Sequence, residues 1–504
     1  MLIVSCLAQI PEKIGQISVM GDEDTIQLRI IDTLDAISSG NGVLMINLPD
    51  GNIGAADLVD TTNIDASEIF INTIYGIKSW RKVMQGGFVI VYGGAGDDWG
   101  SQVTETSDGN YLVSGITKSF GAGYADLFLT EFDRSGEMVF SKAVGGLGND
   151  GFTTDPQLGS FARKTMDGGY VMVSHSRTIG SDNRDVIVVK LDSTLERQWS
   201  KTIGGSMAEE IRYLIETDDG SIVTCGWTWS YPESTENIMI LKIDEDGDLE
   251  RARLLTTPYR DPGEMILQAH DGGFFVTGWT TAIPSDGYSR MFLVKLDSDL
   301  NIEWAKGYGE GTSNPAYSMA VMPDGGVAIM GYSAGYGAIS YEAMIVRTDH
   351  LGNPVWSALI GNDASDFGYS IKAADDSSLV IVVKNDIPER MYACKISDSP
   401  AILWARAFPD FINSWIYGFD FTNDGYLLLT GSTTAYTGES QSVLIKMNYG
   451  DGYCCYGEEI DLTLTPISVS ALDYEVEAID LDEELADRYL FNSNCSPEIL
   501  KLCD

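Results

Sequence analysis

Aromatic side chains close to glycine and acidic residues are the first group in this sequence that could do chemistry. Trp227, Trp229 and Tyr231 lie near one another, as do Trp279 and Tyr288, and then Tyr332, Tyr336 and Tyr341. Rings with Asp and Asn nearby suit sugars, which need an apolar stacking face and hydrogen bonds together. The candidate ligand-binding residues are therefore Trp227, Trp229, Trp279, Tyr332 and Tyr336, and glycans are the partners they would fit. The competing reading is that these rings fill space between structural units.

Carboxylates form the second group. Asp244, Asp246 and Asp248 alternate around Gly247, an oxygen set of the kind that Ca²⁺ favours, and Ca²⁺ is the sole cofactor candidate. An acidic hairpin tip is the alternative, since Asp133, Asp192, Asp297 and Asp349 occupy equivalent turn positions. The three histidines, His175, His270 and His350, have no zinc-site spacing. Gly-x-Ser-x-Gly, Walker and dinucleotide-binding patterns do not occur in the required strand-to-helix setting. The expectation is that the protein is not an enzyme. A polysaccharide-active enzyme with two facing carboxylates is the third-ranked reading.

Cysteine is the last reactive type, with seven copies. Cys225 and Cys394 fall within strands and read as buried thiols. Cys6, Cys454, Cys455, Cys495 and Cys503 are terminal and are the disulfide candidates, which suggests an oxidising compartment. Their number is odd, so at least one is free or reaches another chain, and Cys6 is the candidate.

The net charge is −42, from 74 acidic and 32 basic residues. Such a surface repels phosphate backbones, and no Lys/Arg run offsets it, so nucleic acid is not an expected partner. No segment approaches the roughly 20 apolar residues of a membrane-spanning helix. The apolar residues 1–8 are short and lack a basic leader, which makes them a poor signal peptide.

The elements that must position these groups follow from an internal repeat. An Asp-Gly turn before an apolar strand recurs at Asp108, Asp167, Asp219, Asp271, Asp324, Asp376 (as Asp-Ser-Ser) and Asp424, at spacings of 59, 52, 52, 53, 52 and 48 residues. Each is followed by an alternating strand such as Val189-Lys190-Leu191-Asp192 or Val294-Lys295-Leu296-Asp297. Seven residues past that turn stands a large ring: Phe140, Trp199, Trp304, Trp356 or Trp404, with Arg251 breaking the rule. Gly145-Gly146, Gly204-Gly205, Gly309 and Gly361 close their copies. Four short strands per period of about 50 residues predict an all-β, seven-bladed β-propeller. The seventh copy lacks its fourth strand, and residues 88–92 match it, so an N-terminal strand is predicted to close the ring.

The pattern resembles the secreted or surface β-propeller repeat proteins of bacteria and archaea, whose repeats carry a DGG turn, a VKLD strand and a W-K-GG closing strand. The resemblance covers about residues 85–453 and implies the fold and an extracellular or cell-surface location. It implies no particular activity. Residues 1–84 read as a β-rich segment, with runs at 26–30 and 43–46. Residues 454–504 form a cysteine-containing extension with strands at 460–464 and 474–478 and an acidic, helix-compatible stretch near 483–488.

Strands beyond a closed ring have edges that need partners. Exchanging them between copies would build filaments. The leading expectation is thus a non-catalytic extracellular structural protein, self-associating into a homopolymer or fibre through its terminal segments. A monomeric glycan-binding or adhesion propeller is the alternative.

Overall fold

The computed structural model describes residues 87–480 apart from several short loop segments, together with strand segments between 14 and 84 and the strand Glu498–Lys501. Residues 1–8, Tyr231, Cys6, Cys454, Cys455, Cys495 and Cys503 lie outside the described residues.

Seven antiparallel sheets stand in a ring, and the described residues contain no α-helix. Blade one comprises Asp98–Glu105, Tyr111–Thr117, Asp126–Phe132 and Met138–Gly145, from the axis outward. Blade seven takes three strands from the end of the repeat, Ser414–Phe421, Tyr426–Thr433 and Gln441–Asn448, and its fourth, Gly87–Gly93, from before blade one. In that pair Phe88 lies opposite Lys446 and Tyr92 opposite Ser442. The innermost strands of blades one and seven are neighbours.

Alternating apolar residues explain the strands, and the ring's seams explain the periodic turns. The large ring of one blade packs on the turn between the third and fourth strands of the next. Gly247, at φ 83°, leaves room where a Cβ would come within 2.6 Å of the Trp199 ring, and Gly352 does the same for Trp304. Phe88 of blade seven meets Gly136 of blade one in this way, with a would-be Cβ contact of 3.0 Å. Where the turn carries Leu195 or Leu300 instead, the facing slot holds the smaller Phe140 or the flexible Arg251. Slot and turn are thus matched in volume, which accounts for the exception at Arg251.

Each repeat also pins itself electrostatically on the face carrying the first–second and third–fourth turns, hereafter the lower face. The Lys of the third strand reaches back to the Asp of the first turn: Lys190–Asp167 at 2.6 Å, Lys295–Asp271 at 2.9 Å, and Arg347–Asp324 at 2.7 Å. Lys242–Asp219, Lys395–Asp376 and Lys446–Asp424 repeat the pair. Blade one has Glu131 at the Lys position, and its Asp108 pairs instead with Lys164 of blade two.

The terminal segments extend the blades. Lys78–Met84, Ile69–Asn72, Val43–Asn47 and Ser38–Ser39 continue blade seven outward as one sheet. The C-terminal strands lie on the chain's own propeller: Thr463–Ile467 on blade five, Leu472–Asp473 on blade four and Glu477–Asp480 on blade three. Their edges therefore have partners within the same chain. Cys225 and Cys394 are buried free thiols.

Candidate functional site

Loops between the second and third strands share the upper face with the crossings from blade to blade. At the end of each second strand, one register position holds Ile116, His175, Trp227, Trp279, Tyr332, Lys384 and Ser432 in turn. That position is a seam, covered by a neighbouring loop. Arg184 from blade two lies 5.3 Å from the Trp227 ring, and Arg260 lies 5.2 Å from Trp279. Tyr332 packs edge-on against Phe367 of blade six at 4.9 Å and against Tyr341 at 5.3 Å, and stacks on Tyr317 at 5.7 Å.

The predicted exposed platform is corrected accordingly. Trp227 is buried, at 5% exposure, while Trp279, Tyr332 and Tyr336 are half-buried. Of the five predicted rings only Trp229 is substantially exposed, at 36%, and it packs 6.2 Å from Trp227. Around it the structure adds rings that sequence patterning ranked lower or missed. Tyr124, Tyr259, Tyr288 and Tyr341 are all exposed, and each sits in an upper-face loop. The exposed large residues elsewhere on the described propeller are aliphatic, among them Val139, Met166, Leu351, Val355 and Leu403. Among the described residues, exposed aromatics are therefore segregated to one face.

Beneath this face, a carboxylate or amide opens the innermost strand and is held by a side chain 19 residues on. Thr228 donates to Glu209 at 2.7 Å, Thr280 to Asp261 at 2.5 Å, and Asn385 to Asp366 at 2.9 Å; Thr117 donates to Asp98, and Ser333 to Asn314. Backbone N–H groups of Gly94, Gly205 and Thr257 add bonds to Asp98, Glu209 and Asp261. Burial raises the Glu209 carboxyl to about 7 and the Asp98 carboxyl to about 6, against the pull of these hydrogen bonds. The closing glycines are explained here as well: a Cβ on Gly361 would come within 2.5 Å of the Asp366 carboxylate.

Nearer the axis, bulges in the innermost strands leave Ser101, Arg212, Glu264, Tyr317, Tyr369 and Tyr417 out of the ladder. Neighbours on successive blades meet: Arg212 lies 3.8 Å from Glu264, and Tyr317 lies 6.1 Å from Tyr369. Glycines at the facing position of the second strand make room, since a Cβ on Gly226 or Gly331 would collide with the carbonyl of Glu210 or Pro315. Further along the axis Lys372 pairs with Asp420 at 2.5 Å, Thr104 donates to Asp420 at 2.8 Å, and Arg163 donates to Tyr213 at 3.1 Å. Burial works against the Asp420 carboxylate, but Lys372 and Thr104 outweigh it and hold its pKa below the usual value.

His175 is buried in its seam, and burial, followed by the charges of Arg184, Arg212 and Arg177, drives its pKa down to about 3. It is a neutral side chain at physiological pH. The Asp244, Asp246 and Asp248 set is a hairpin tip: Asp244 Oδ1 accepts the N–H groups of Asp246 at 3.0 Å and Asp248 at 2.7 Å. Asp133, Asp192, Asp297 and Asp349 accept the same two N–H bonds in their own turns. Asp248 also pairs with Lys201 at 3.3 Å. Among the described residues no three His, Cys, Asp or Glu side chains gather as a metal site.

No family model and no curated protein matches the sequence. Among solved structures the chain is similar to a puromycin hydrolase mutant complexed with PGG, at 14% identity and TM-score 0.40, covering 71% of this chain and 57% of the hydrolase. It is also similar to the α-L-arabinofuranosidase Arb93A of Fusarium graminearum with an iminosugar inhibitor, at 10% identity and TM-score 0.37, covering 59% of this chain and 94% of that one. A PQQ-bound aldose sugar dehydrogenase from Streptomyces coelicolor gives 12% identity and TM-score 0.35, covering 58% and 99%. The chain spans little more than half the length of the hydrolase, and the seven-bladed architecture rests on the strand pairing itself.

Proposed function

We propose that this protein is a non-catalytic binding propeller of the cell exterior, presenting its upper face to carbohydrate. The observation that carries the reading is that, among the described residues, the exposed aromatic rings, Tyr124, Trp229, Tyr259, Tyr288 and Tyr341, all lie on that face. Tyr and Trp offer a flat apolar surface with a polar edge, which matches a sugar ring better than aliphatic patches do. Arg260 is more than half exposed and pairs with Glu236 at 2.7 Å beside Trp279, a ready source of donors and acceptors. The non-catalytic part is supported by the mouth carboxylates, whose hydrogen-bonding capacity is committed to their own blades. The reading needs no bound cofactor, and the acidic surface suits a neutral ligand rather than a polyanion.

The test is binding of the intact chain to a panel of immobilised neutral and acidic oligosaccharides. Saturable binding to neutral ones, lost in a Trp229→Ala/Tyr288→Ala double variant that melts normally, supports the reading; a folded chain that binds none overturns it. A second reading, a structural subunit of a surface assembly, is favoured by the N-terminal sheet, which carries blade seven outward by four strands. Since the described C-terminal strands are paired in cis, this reading places a joint between copies at that N-terminal side and at Cys6. Light scattering and electrophoresis with and without reductant separate the two readings.

A further inference from the structure

The innermost strands end at the lower mouth of the axial channel, and that mouth is asymmetric. One register position stands four residues before the Asp of each first turn. In blades six, seven, one and two, which are contiguous in the ring, it holds Lys372, Asp420, Thr104 and Arg163. In blades three, four and five it holds Ile215, Leu267 and Ala320. A polar sector of four blades thus completes the ring with an apolar sector of three.

The polar sector is a connected cluster. Lys372 pairs with Asp420 at 2.5 Å, Thr104 donates to Asp420 at 2.8 Å, and the Phe421 N–H donates to it at 2.9 Å. Burial opposes ionisation of Asp420, but Lys372, then Thr104 and Arg163, keep it ionised. Arg163 donates through Nε to the Leu214 carbonyl and through Nη2 to the Tyr213 hydroxyl, both at 3.1 Å. Those two bonds fix the plane of its guanidinium. Both oxygens of Asp420 are therefore engaged, whereas the cations keep donors in hand. Nη1 of Arg163, two N–H groups of Lys372 and the Gln102 amide have no acceptor among the described residues.

Gln102, Arg163 and Lys372 line one pocket with Thr104, Tyr213 and Asp420, and it leaves room for about one oxygen-sized group. Two cations against one carboxylate give this pocket a net charge of +1, inside a chain whose net charge is −42. Arg163 and Lys372 are half-buried, so an anion beside them is partly desolvated and still reachable from the mouth. Donors of this kind match a planar oxyanion, and a surplus of one positive charge matches a monoanion better than a phosphate. We infer that the lower mouth of the channel binds a single carboxylate group, held by Arg163, Lys372 and Gln102, with Asp420 positioning Lys372. The carboxylate belongs to a small free acid or to an acidic sugar, and the recognition chemistry is the same for both. The site is at the opposite end of the molecule from the upper-face rings and does not rest on their reading.

Equilibrium dialysis of the intact chain against labelled acetate, D-glucuronate and inorganic phosphate, at fixed ionic strength, tests this. Saturable binding of one carboxylate per chain is expected. Arg163→Gln should weaken it about tenfold or more, and Gln102→Leu about threefold, as loss of a charged and of a neutral donor respectively. Gln102→Leu removes no hydrogen bond of the folded chain, so it decides the matter if Arg163→Gln folds poorly. Trp229→Ala/Tyr288→Ala should bind as the unmodified chain does. Acetate bound as tightly as glucuronate assigns the site to small acids, and glucuronate bound far more tightly assigns it to acidic sugars; either supports the inference. Binding of neither overturns it, as does phosphate bound more tightly than both, or carboxylate binding that Arg163→Gln and Gln102→Leu leave unchanged.

Discussion

The lower and upper faces of this propeller are built from the same repeat and have opposite chemistry. On the lower face one Asp–Lys or Asp–Arg pair recurs in blades two to seven, with the cation buried, or half-buried at Lys242, and the acid at the rim. The acids there are held below their usual pKa: burial opposes this at Asp167 and Asp376, but Lys190 and Lys395 and local hydroxyls bring them to about 2. On the upper face Asp98 and Glu209 are raised instead, because burial outweighs neutral hydrogen-bond donors. Residue identity is kept from blade to blade below and diverges above, where one register position runs from Ile116 through His175 and Trp227 to Lys384. A face that repeats is solving the same packing problem in blade after blade; a face that diverges is free to meet something else.

The sharpest way to break both faces together is through the strand that joins them. Gly331→Val would drive a side chain into the Pro315 carbonyl and undo the bulge that frees Tyr317. A loss of about 3 kcal/mol or more is expected, visible as a lowered denaturant midpoint. Next in size is the upper-face double variant Trp229→Ala/Tyr288→Ala. Saccharide affinity should fall about tenfold, roughly 1.4 kcal/mol, with the melting temperature nearly unchanged, as calorimetry would show. The mirror-image experiment is Asp324→Ala on the lower face, which strips Arg347 of a partner at 2.7 Å. Its cost is about 1 kcal/mol, since the acid is well over a third exposed, and binding should be unaffected.

Titration separates the faces without mutation. Groups with raised folded pKa, Asp98 and Glu209, bind protons more tightly folded than unfolded. Their contribution is therefore fully present near pH 4 and is lost as pH rises through about 6 to 7. The depressed lower-face acids act in reverse, and their stabilisation is lost as pH falls from about 4 towards about 2. Melting temperature against pH should accordingly rise on acidification from pH 7 to about 4.5 and fall below pH 4. Glu209→Gln should flatten the upper limb alone. Smallest of all is the effect of chelation: with Asp244 closing its own turn, added chelator should leave the melting temperature within about 1 °C.

Much of the fold was legible because its determinants are local and periodic. Asp-Gly turns, the Lys of the third strand and the large ring seven residues on recur within each blade, and each packs on a neighbour that carries the same residues. Even the exception at Arg251 had a visible counterpart in Leu300, one period later, where blades one, three and five have glycine. The 19-residue spacing from Asp98 to Thr117, Glu209 to Thr228 and Asp261 to Thr280 was equally present, but loop insertions hid it: in blade two Asp150 and Ser176 form the corresponding bridge 26 residues apart. The binding face was less legible. Trp227 and Trp229 are two residues apart and chemically identical, yet one is covered by Arg184 and the other is not.

The sequence by itself determined the strand and turn types, the seven-fold count and the volume matching at the seams, since each depends on residues adjacent in the chain or one period away. Tertiary structure alone decided which aromatic rings face solvent, which charged residues meet near the axis, and where the tail lies. Those outcomes depend on loops from neighbouring blades and on an extension that passes the blades in reverse order, so no fixed sequence spacing connects the partners. Leu254 and Ile479 become neighbours only because five-stranded sheets stand side by side around one axis.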